Sequence, residues 1–277
     1  MTWQSPEPPP WPKITLRAWP RILLRLAALS VVIGVGLLLH LLLRLIERPI
    51  FGLRRPITPA VTQIVCRAVL RVIGLRVQIT GAPSRARGAL VANHSSWLDI
   101  FVLNAAARVH FVSKAEVAGW PGIGFLARTT GTIFIRRDRR EAAQQARVLE
   151  ERLRAGQRLL FFPEGTSSDA QRVLPFKSTL FAAFYAPVLR DFMQVQPVTL
   201  VYHAPDRTDP RALAWWGDME FAGHLVRVLA LPRAGAVALI FHPPLRISQH
   251  PDRKALALAC ETAVRAGMAL HRGRADR

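Results

Sequence analysis

The chain has very little cysteine and is short of acidic residues. Cys66 and Cys260 are its two cysteines among 277 residues, which excludes a disulfide framework and a zinc site built from several cysteines. Such sparse use of cysteine is typical of proteins that face a reducing cytosol. Eighteen Asp and Glu stand against 38 Lys and Arg, a formal net charge of +20. This excess predicts an anionic partner, such as lipid head groups, nucleic acid or an acidic carrier protein.

Charge is also missing from one long stretch near the N-terminus. Residues 1–12 are rich in proline and predict a disordered tail, and residues 13–57 predict a hydrophobic membrane-anchoring segment. No charged residue occurs from Leu26 to Leu43, and a helix of that length is about 27 Å long. Arginines on both sides leave open whether this helix spans a bilayer, lies in one leaflet or is buried in a core.

Residues 58–277 predict one α/β domain. It begins with an amphipathic helix, because apolar residues recur at helical spacing from Val61 to Ile73. Short apolar runs then alternate with helical patterns, which predicts a mostly parallel or mixed sheet covered by helices. Strands are predicted at 75–80, 88–92, 109–113, 132–135, 158–162, 195–202 and 236–242, with helices at 97–107, 139–154, 177–189 and 253–270. Sites in such sheets lie beyond the carboxyl ends of the strands.

A histidine and an aspartate follow the second predicted strand, in the segment NHSSWLD from Asn93 to Asp99. Asp99 can hold one imidazole nitrogen of His94 and leave the other free to accept a proton from a hydroxyl. A structural alternative is a capping box of Ser96 and Asp99, with His94 an ordinary loop residue. A hydrolase with Ser95 or Ser96 as nucleophile is less consistent with the sequence, because no G-x-S-x-G motif surrounds either serine.

Two arginines follow another predicted strand, in the segment GTIFIRR that begins at Gly131. The guanidinium groups of Arg136 and Arg137 suit a phosphate or a carboxylate. Paired arginines are common in so basic a chain, and Asp138 offers an ordinary ion pair. Taken alone, this segment does not define a site.

A third strand stops at Pro163 and brings Glu164 and Gly165 into a turn. A carboxylate there can bind acceptor hydroxyls, and the glycine lets a ligand approach the backbone. Downstream, Lys177 can contact an anionic substrate. Their structural alternatives are an exposed turn and a solvated lysine.

In this order, the segments resemble the glycerolipid acyltransferase family, to which bacterial 1-acylglycerol-3-phosphate acyltransferases belong. The resemblance covers about residues 60–245 and includes four motifs in family order. They are NHSSWLD, GTIFIRR, FPEGT from Phe162 to Thr166, and VQPV around Pro197. By chance alone, four ordered matches at strand ends are hard to obtain.

The resemblance implies that His94 is a general base oriented by Asp99, and that the acceptor hydroxyl attacks an acyl thioester directly. It also implies that backbone donors near the helix start stabilise the oxyanion. The substrate-binding residues implied are Asn93, Gly131, Arg136, Arg137, Glu164, Gly165, Thr166 and Lys177. Acyl-ACP or acyl-CoA is the expected co-substrate, with no cofactor and no metal. The expected place is the cytoplasmic face of a bacterial inner membrane with an anionic surface.

Three departures from the family pattern bear on the acceptor, a lysolipid. Ser167 and Ser168 follow EGT where phosphate-specific members often have an arginine, Arg136 replaces an acidic or amide residue, and Thr179 replaces a glycine. The segments FPEGTSSD, LPFKSTLF and WWGDMEFAGHL are similar to the lyso-ornithine lipid O-acyltransferase branch. The sequence therefore keeps lyso-ornithine lipid and 1-acylglycerol-3-phosphate both open, with the first favoured.

A non-enzymatic alternative is a basic protein that binds a membrane surface or nucleic acid by charge alone. It accounts for the net charge and the N-terminal helix but not for four ordered motifs. An enzyme with no nucleic-acid partner is the better hypothesis.

Overall fold

The computed structural model describes residues 2–5, 9, 11, 13–136, 140–191 and 193–275. A mixed sheet lies between two layers of helices, as the sequence predicts. The strands are β1 (Arg76–Thr80), β2 (Gly88–Ala92), β3 (His110–Lys114), β4 (Ile133–Ile135), β5 (Leu159–Phe161), β6 (Gln194–His203), β7 (Ala236–Phe241) and β8 (Leu245–Arg246). The helices are α1 (Trp19–Phe51), α2 (Thr58–Ile73), α3 (Leu98–Ala106), α4 (Ile123–Thr130), α5 (Ala142–Arg154), α6 (Pro187–Arg190), α7 (Phe221–Ala230) and α8 (Arg253–Ala275). Short 3₁₀ helices lie at Leu16–Ala18, Ala115–Gly119, Ser178–Tyr185 and Ile247–Gln249.

The sheet has the order β1-β7-β6-β2-β5-β3-β4, and β8 pairs with β6. Strand β2 is parallel to both β5 and β6, whereas β7 is antiparallel to β6. All five residues of β2 are buried because it lies in the middle of the sheet. Leu90 and Ala92 point into one core and Ala89 and Val91 into the other, as strand alternation requires. The residues that follow this central strand therefore lie at the carboxyl ends of the parallel strands, in the middle of the sheet.

Helices α1, α2, α3 and α7 cover one face of the sheet, and α5, α8 and the 3₁₀ helix Ser178–Tyr185 cover the other. Most predicted elements are confirmed within two or three residues. The sequence patterns did not identify α4, α7 or the short β8 as separate elements. The predicted helix at 177–189 is instead a 3₁₀ helix followed by α6, because Pro187 cannot donate the backbone hydrogen bond that a continuous helix needs there.

Helix α1 is much longer than the uncharged run that predicts it. Its 33 residues extend over about 50 Å. One stripe of the helix is buried against the domain: Ile22, Leu29, Gly36, His40 and Glu47. Gly36 allows α1 to approach α2, since a Cβ there would collide with Val65. The rest of the helix exposes large apolar side chains, among them Leu24, Val31, Leu38 and Leu45.

Helix α1 extends beyond both ends of the uncharged run, because charged residues there have partners in the domain. Near its start, Arg25 donates to the carbonyls of Leu229 and Leu231 at the end of α7, at 2.9 and 2.6 Å. Near its end, buried Glu47 accepts hydrogen bonds from the backbone N–H and hydroxyl of Thr58. The helix therefore lies along its own domain over most of its length.

The described residues of the N-terminal tail form no helix or strand, but they contact the domain. The Trp3 ring lies 6.1 Å from the Trp216 ring. Gln4 donates from its side chain to Asp218, and the Trp11 ring lies edge-on to His224 at 5.4 Å. Trp3, Gln4 and Trp11 therefore lie against the domain, through ring contacts and one side-chain hydrogen bond.

Candidate active site

His94 and Asp99 meet in the connection between β2 and α3. The Nδ1 of His94 lies 2.7 Å from Oδ2 of Asp99. The Asp99 carboxylate is fully buried, whereas 21% of the His94 side chain is exposed. His94 follows the carboxyl end of β2. Its imidazole therefore reaches the surface at the carboxyl ends of the parallel strands, where α/β proteins bind their ligands. The predicted pair is thus formed.

Four donors converge on the carboxylate of Asp99. Oδ2 accepts from the backbone N–H groups of Ser95 (2.7 Å) and Ser96 (3.0 Å) as well as from His94. Oδ1 accepts from the hydroxyl of Tyr202 at 2.6 Å. This arrangement satisfies an ionised carboxylate and requires a proton on Nδ1 of His94. In the neutral ring, Nε2 then carries the free lone pair, and among the described residues it has no hydrogen-bond partner.

The capping box of Ser96 and Asp99 is half formed, because Ser96 Oγ accepts the N–H of Leu98 and not that of Asp99. Asp99 accepts the N–H of Ser96, as a capping box requires, and α3 begins at Leu98. The same carboxylate orients the imidazole of His94. One aspartate therefore both starts the helix and holds the histidine.

Phe162 stacks on the His94 ring, with centroids 4.0 Å apart and planes 12° apart. It follows β5 directly, and β5 is the parallel neighbour of β2. The contact limits rotation of the imidazole and excludes water from one of its faces. Phe162 opens the FPEGT motif, but the sequence did not indicate this role.

Glu164 is almost fully buried, at 1% exposure. Its Oε1 accepts the backbone N–H of His94 at 3.1 Å, and its Oε2 has no partner among the described residues. Burial raises the pKa of the Glu164 carboxyl well above its usual range, and the negative charge of Asp99 raises it further. In this structure the carboxyl group supports the backbone of the histidine loop.

The turn that contains Glu164 is tied to the His94 loop by a second contact. Ser168 donates its backbone N–H to the carbonyl of His94 at 2.9 Å. Gly165 has a φ of 72°, which favours glycine, and its N–H donates to Phe162. One of the two serines that follow EGT, Ser168, thus ties this turn to the His94 loop.

Thr166 and Lys177 flank the same turn. The hydroxyl oxygen of Thr166 accepts the backbone N–H of Trp3 at 3.3 Å, so the N-terminal tail reaches the rim of the site. Lys177 has an exposed side chain, and its backbone N–H donates to the carbonyl of Pro163 at 2.9 Å. Both residues therefore lie next to the turn that contains Glu164, and substrate contact by either one stays a prediction.

Asn93 is fully buried and bridges β2 to β6. Its Nδ2 donates to the carbonyl of Leu200, and its Oδ1 accepts the Leu200 N–H, at 2.9 and 2.8 Å. Both polar ends of the side chain are occupied. A substrate contact is predicted for Asn93. In the structure its side chain joins the two strands behind the histidine.

The GTIFIRR segment lies apart from the histidine. Its strand β4 is three strands from β2, about 14 Å away at ordinary strand spacing. Gly131 precedes β4, so it lies at the amino ends of the parallel strands, opposite to His94. Its φ of 89° and the Arg55 guanidinium beside it explain why this residue is a glycine. Arg136 is exposed, lies 3.2 Å from Glu141 and lines a cavity of about 470 Å³. Arg137 lies outside the described residues.

The serines of the NHSSWLD segment are buried, and the backbone N–H groups beside them are already hydrogen-bonded. Ser95 and Ser96 are fully buried; the Ser95 hydroxyl has no partner among the described residues, and Ser96 Oγ accepts the Leu98 N–H. Neither arrangement presents an activated nucleophile. The N–H groups of Ser95, Ser96 and Leu98 are all engaged, so these expected backbone donors are not free for an oxyanion.

Sequence reasoning missed Tyr202 and the pair of Trp97 and His224. The Trp97 indole N–H donates to Nδ1 of His224 at 2.9 Å, which fixes the loop between β2 and α3 from behind. Burial lowers the pKa of His224 to about 4, so the ring is a neutral acceptor. One available signal was the position of Tyr202 at the end of a predicted buried strand, where a hydroxyl needs a partner.

Residues 76–201 match the Acyltransferase family. The chain is 57% identical to the lyso-ornithine lipid O-acyltransferase of Rhodobacter capsulatus, over 96% of each protein. It is 32% identical to the 1-acyl-sn-glycerol-3-phosphate acyltransferase of Neisseria meningitidis, over 73% of this chain and 78% of that one.

The fold is similar to the crystal structure of the 1-acyl-sn-glycerophosphate acyltransferase PlsC of Thermotoga maritima. The TM-score is 0.66 at 21% identity, with 93% of this chain and 97% of that one covered. The mixed sheet and its helical layers are therefore an arrangement already seen in a solved structure.

Proposed function

The chain belongs to the acyltransferase family, and we propose that it is a lysolipid O-acyltransferase whose acceptor is lyso-ornithine lipid. The observation that carries this proposal is the pair of His94 and Asp99, with Nδ1 bound to the carboxylate and Nε2 without a partner among the described residues. An ordered imidazole of this kind suits removal of a proton from an acceptor hydroxyl.

The acceptor is chosen from the relatives and from the turn after Glu164. Four similar proteins, at 35–57% identity, are named lyso-ornithine lipid O-acyltransferases. The turn offers Ser167 and Ser168 where an arginine would serve a phosphate. The Neisseria relative supports 1-acylglycerol-3-phosphate as the second candidate acceptor.

The proposed reaction is one displacement. Nε2 of His94 takes the hydroxyl proton while the acceptor oxygen bonds to the thioester carbonyl carbon. The tetrahedral intermediate then collapses, the carbon–sulfur bond breaks, and the thiolate leaves and takes the proton from His94. Asp99 keeps the proton on Nδ1 and stabilises the imidazolium that forms transiently. Acyl-ACP and acyl-CoA are the proposed donors, and the charge of +20 favours these anionic co-substrates.

Helix α1 is proposed to lie in one leaflet of a bacterial inner membrane, with the sheet domain on the cytoplasmic face. The helix is long and apolar enough to cross a bilayer. Its buried stripe from Ile22 to Glu47 nevertheless stays against the domain, while its opposite side exposes leucines and isoleucines. This division favours a helix that lies in the surface layer. It would hold the site where both lipid acceptor and lipid product reside.

The test is an acyl-transfer assay on purified protein in mixed micelles. Labelled acyl-ACP or acyl-CoA is offered to lyso-ornithine lipid and to 1-acylglycerol-3-phosphate in parallel, with His94→Ala as the inactive control. Preferential formation of ornithine lipid is the expected result. Preferential formation of phosphatidic acid would overturn the acceptor assignment, and no product from either acceptor would overturn the proposed function.

A further inference from the structure

A groove of about 940 Å³ lies between α2, the end of α3 and the edge strand β1. Buried Leu70 and half-buried Val77 are among its lining residues, and we take these apolar side chains as the floor of the groove. No carboxylate is among the residues that line it. Four exposed arginines stand around this floor: Arg67, Arg71, Arg76 and Arg233. The groove is thus apolar at its base and cationic at its rim, and we call it the arginine groove.

The positive charge of the rim is not compensated locally. Within the described part of the chain, none of the four rim arginines forms an ion pair with a carboxylate. Arg67 donates from Nε to the carbonyl of Ala105 at 2.8 Å. Arg25 of α1 adds a fifth guanidinium, because its Nη2 approaches Gly74 at the edge of the groove. Such a concentration of one sign attracts anions.

The arginine groove is separate from the active site. Asp99 lies in the first turn of α3, whereas Ala105 and Ala106 at its other end line the groove. A helix of this length spans about 13 Å. A ligand in the groove therefore does not need to contact His94.

The surroundings of the groove indicate which anion fits. One side of α2 packs on α1 through Val65, and the groove lies on the opposite side, at Leu70 and Arg71. Between them, exposed Ile64 of α2 continues the apolar surface of α1 toward the groove. Ile79 of β1 is 53% exposed beside the rim. An apolar floor, a cationic rim and an apolar approach match an amphiphile with an anionic head.

We propose that the arginine groove binds an anionic phospholipid of the membrane on which α1 lies, with its phosphate at the rim and an acyl chain on the floor. This proposal rests on the proposed membrane attachment through α1. It adds a lipid site that is distinct from the acceptor site. An acidic protein would satisfy the rim charge but leaves the apolar floor and Ile79 unexplained.

The experiment is flotation of the purified full-length protein with phosphatidylcholine vesicles, with and without phosphatidylglycerol. The groove variant is the triple substitution R71Q/R76Q/R233Q. The matched control is R147Q/R246Q/R253Q, which removes the same charge from exposed positions on α5, on β8 and at the start of α8. We expect phosphatidylglycerol to tighten binding of the wild-type protein and the control. The groove variant should lose this increase in vesicle affinity. Each arginine near an anionic membrane surface contributes about fivefold to that affinity.

A second variant, I79D, keeps all arginines and places a carboxylate in the groove. It should also weaken binding to phosphatidylglycerol vesicles. If the groove and control triples lose vesicle binding equally, the proposal is overturned, because the attraction is then a diffuse effect of net charge. Release of the protein from the vesicles by inorganic phosphate alone would also overturn it. A groove variant that binds vesicles normally but has a raised KM for acyl-ACP would instead identify an acidic protein partner. Acyl transfer in neutral detergent micelles should stay at the wild-type rate in both triples, so failure of the catalytic proposal would be seen separately.

Discussion

Tyr202 places its hydroxyl 2.6 Å from Oδ1 of Asp99, the carboxylate that also holds His94. The tyrosine lies on β6 and the histidine follows β2, so the two parallel strands jointly position the pair of His94 and Asp99. The hydroxyl satisfies the carboxylate oxygen that His94 does not reach. Loss of this bond would leave a buried charged oxygen unpaired.

The first prediction concerns Tyr202→Phe. It should lower kcat by about 10- to 100-fold, since a hydrogen bond to a buried charge contributes about 1.5–3 kcal/mol. The KM for the lysolipid should change little, because the hydroxyl contacts Asp99. The matched control is Tyr185→Phe, whose hydroxyl bonds to the carbonyl of Asp252. Equal kinetic effects of the two variants would contradict a role for Tyr202 in the catalytic pair.

The second prediction separates two roles of Glu164. Glu164→Gln keeps an oxygen that can accept the His94 N–H and should retain most of the turnover. Glu164→Ala leaves that N–H unpaired and should lower kcat by about tenfold or more. A glutamine variant with a strongly raised acceptor KM would show that the carboxylate binds the acceptor directly.

The third prediction compares two glycines that follow helices. Gly131 and Gly156 have φ values of 89° and 80°, but only the Cβ added at Gly131 would collide with Arg55. Gly156→Ala should cost about 1–2 kcal/mol of unfolding free energy from backbone strain alone. Gly131→Ala should cost about 0.5–1.5 kcal/mol more, because the Arg55 guanidinium must shift and its hydrogen bond to the carbonyl of Thr129 is disturbed. Chemical denaturation in detergent measures both, and equal losses would contradict the contact with Arg55.

The fourth prediction concerns acid stability and His110. Burial, with the charge of Arg55, lowers the pKa of His110 to about 4. The unfolded chain binds this proton below about pH 6.5. The unfolded state therefore holds more protons between about pH 6.5 and 4, and the free energy of unfolding falls as the pH falls. His110→Gln should reduce that slope by up to about 1.4 kcal/mol per pH unit, and an unchanged slope would contradict the account.

Local sequence patterns predict most strands and the meeting of His94 and Asp99, because both depend on residues close together in the chain. They do not predict Tyr202, whose contact with Asp99 requires the parallel register of β2 and β6. The true length of α1 was also missed, since Arg25 is satisfied by carbonyls at the end of α7, far away in sequence. The contact of Gly131 with Arg55 is likewise not visible in the sequence, because Arg55 lies in another element. Contacts between distant segments account for these differences.

The central claim is that His94 removes the proton from the acceptor hydroxyl. The most direct test is the steady-state rate of acyl transfer to lyso-ornithine lipid by His94→Ala, with folding checked by circular dichroism and membrane binding by flotation. The account predicts a kcat lower by about 10²–10⁴-fold with both checks unchanged, the usual contribution of a general base. A folded, membrane-bound variant that turns over at a rate close to wild type would contradict it.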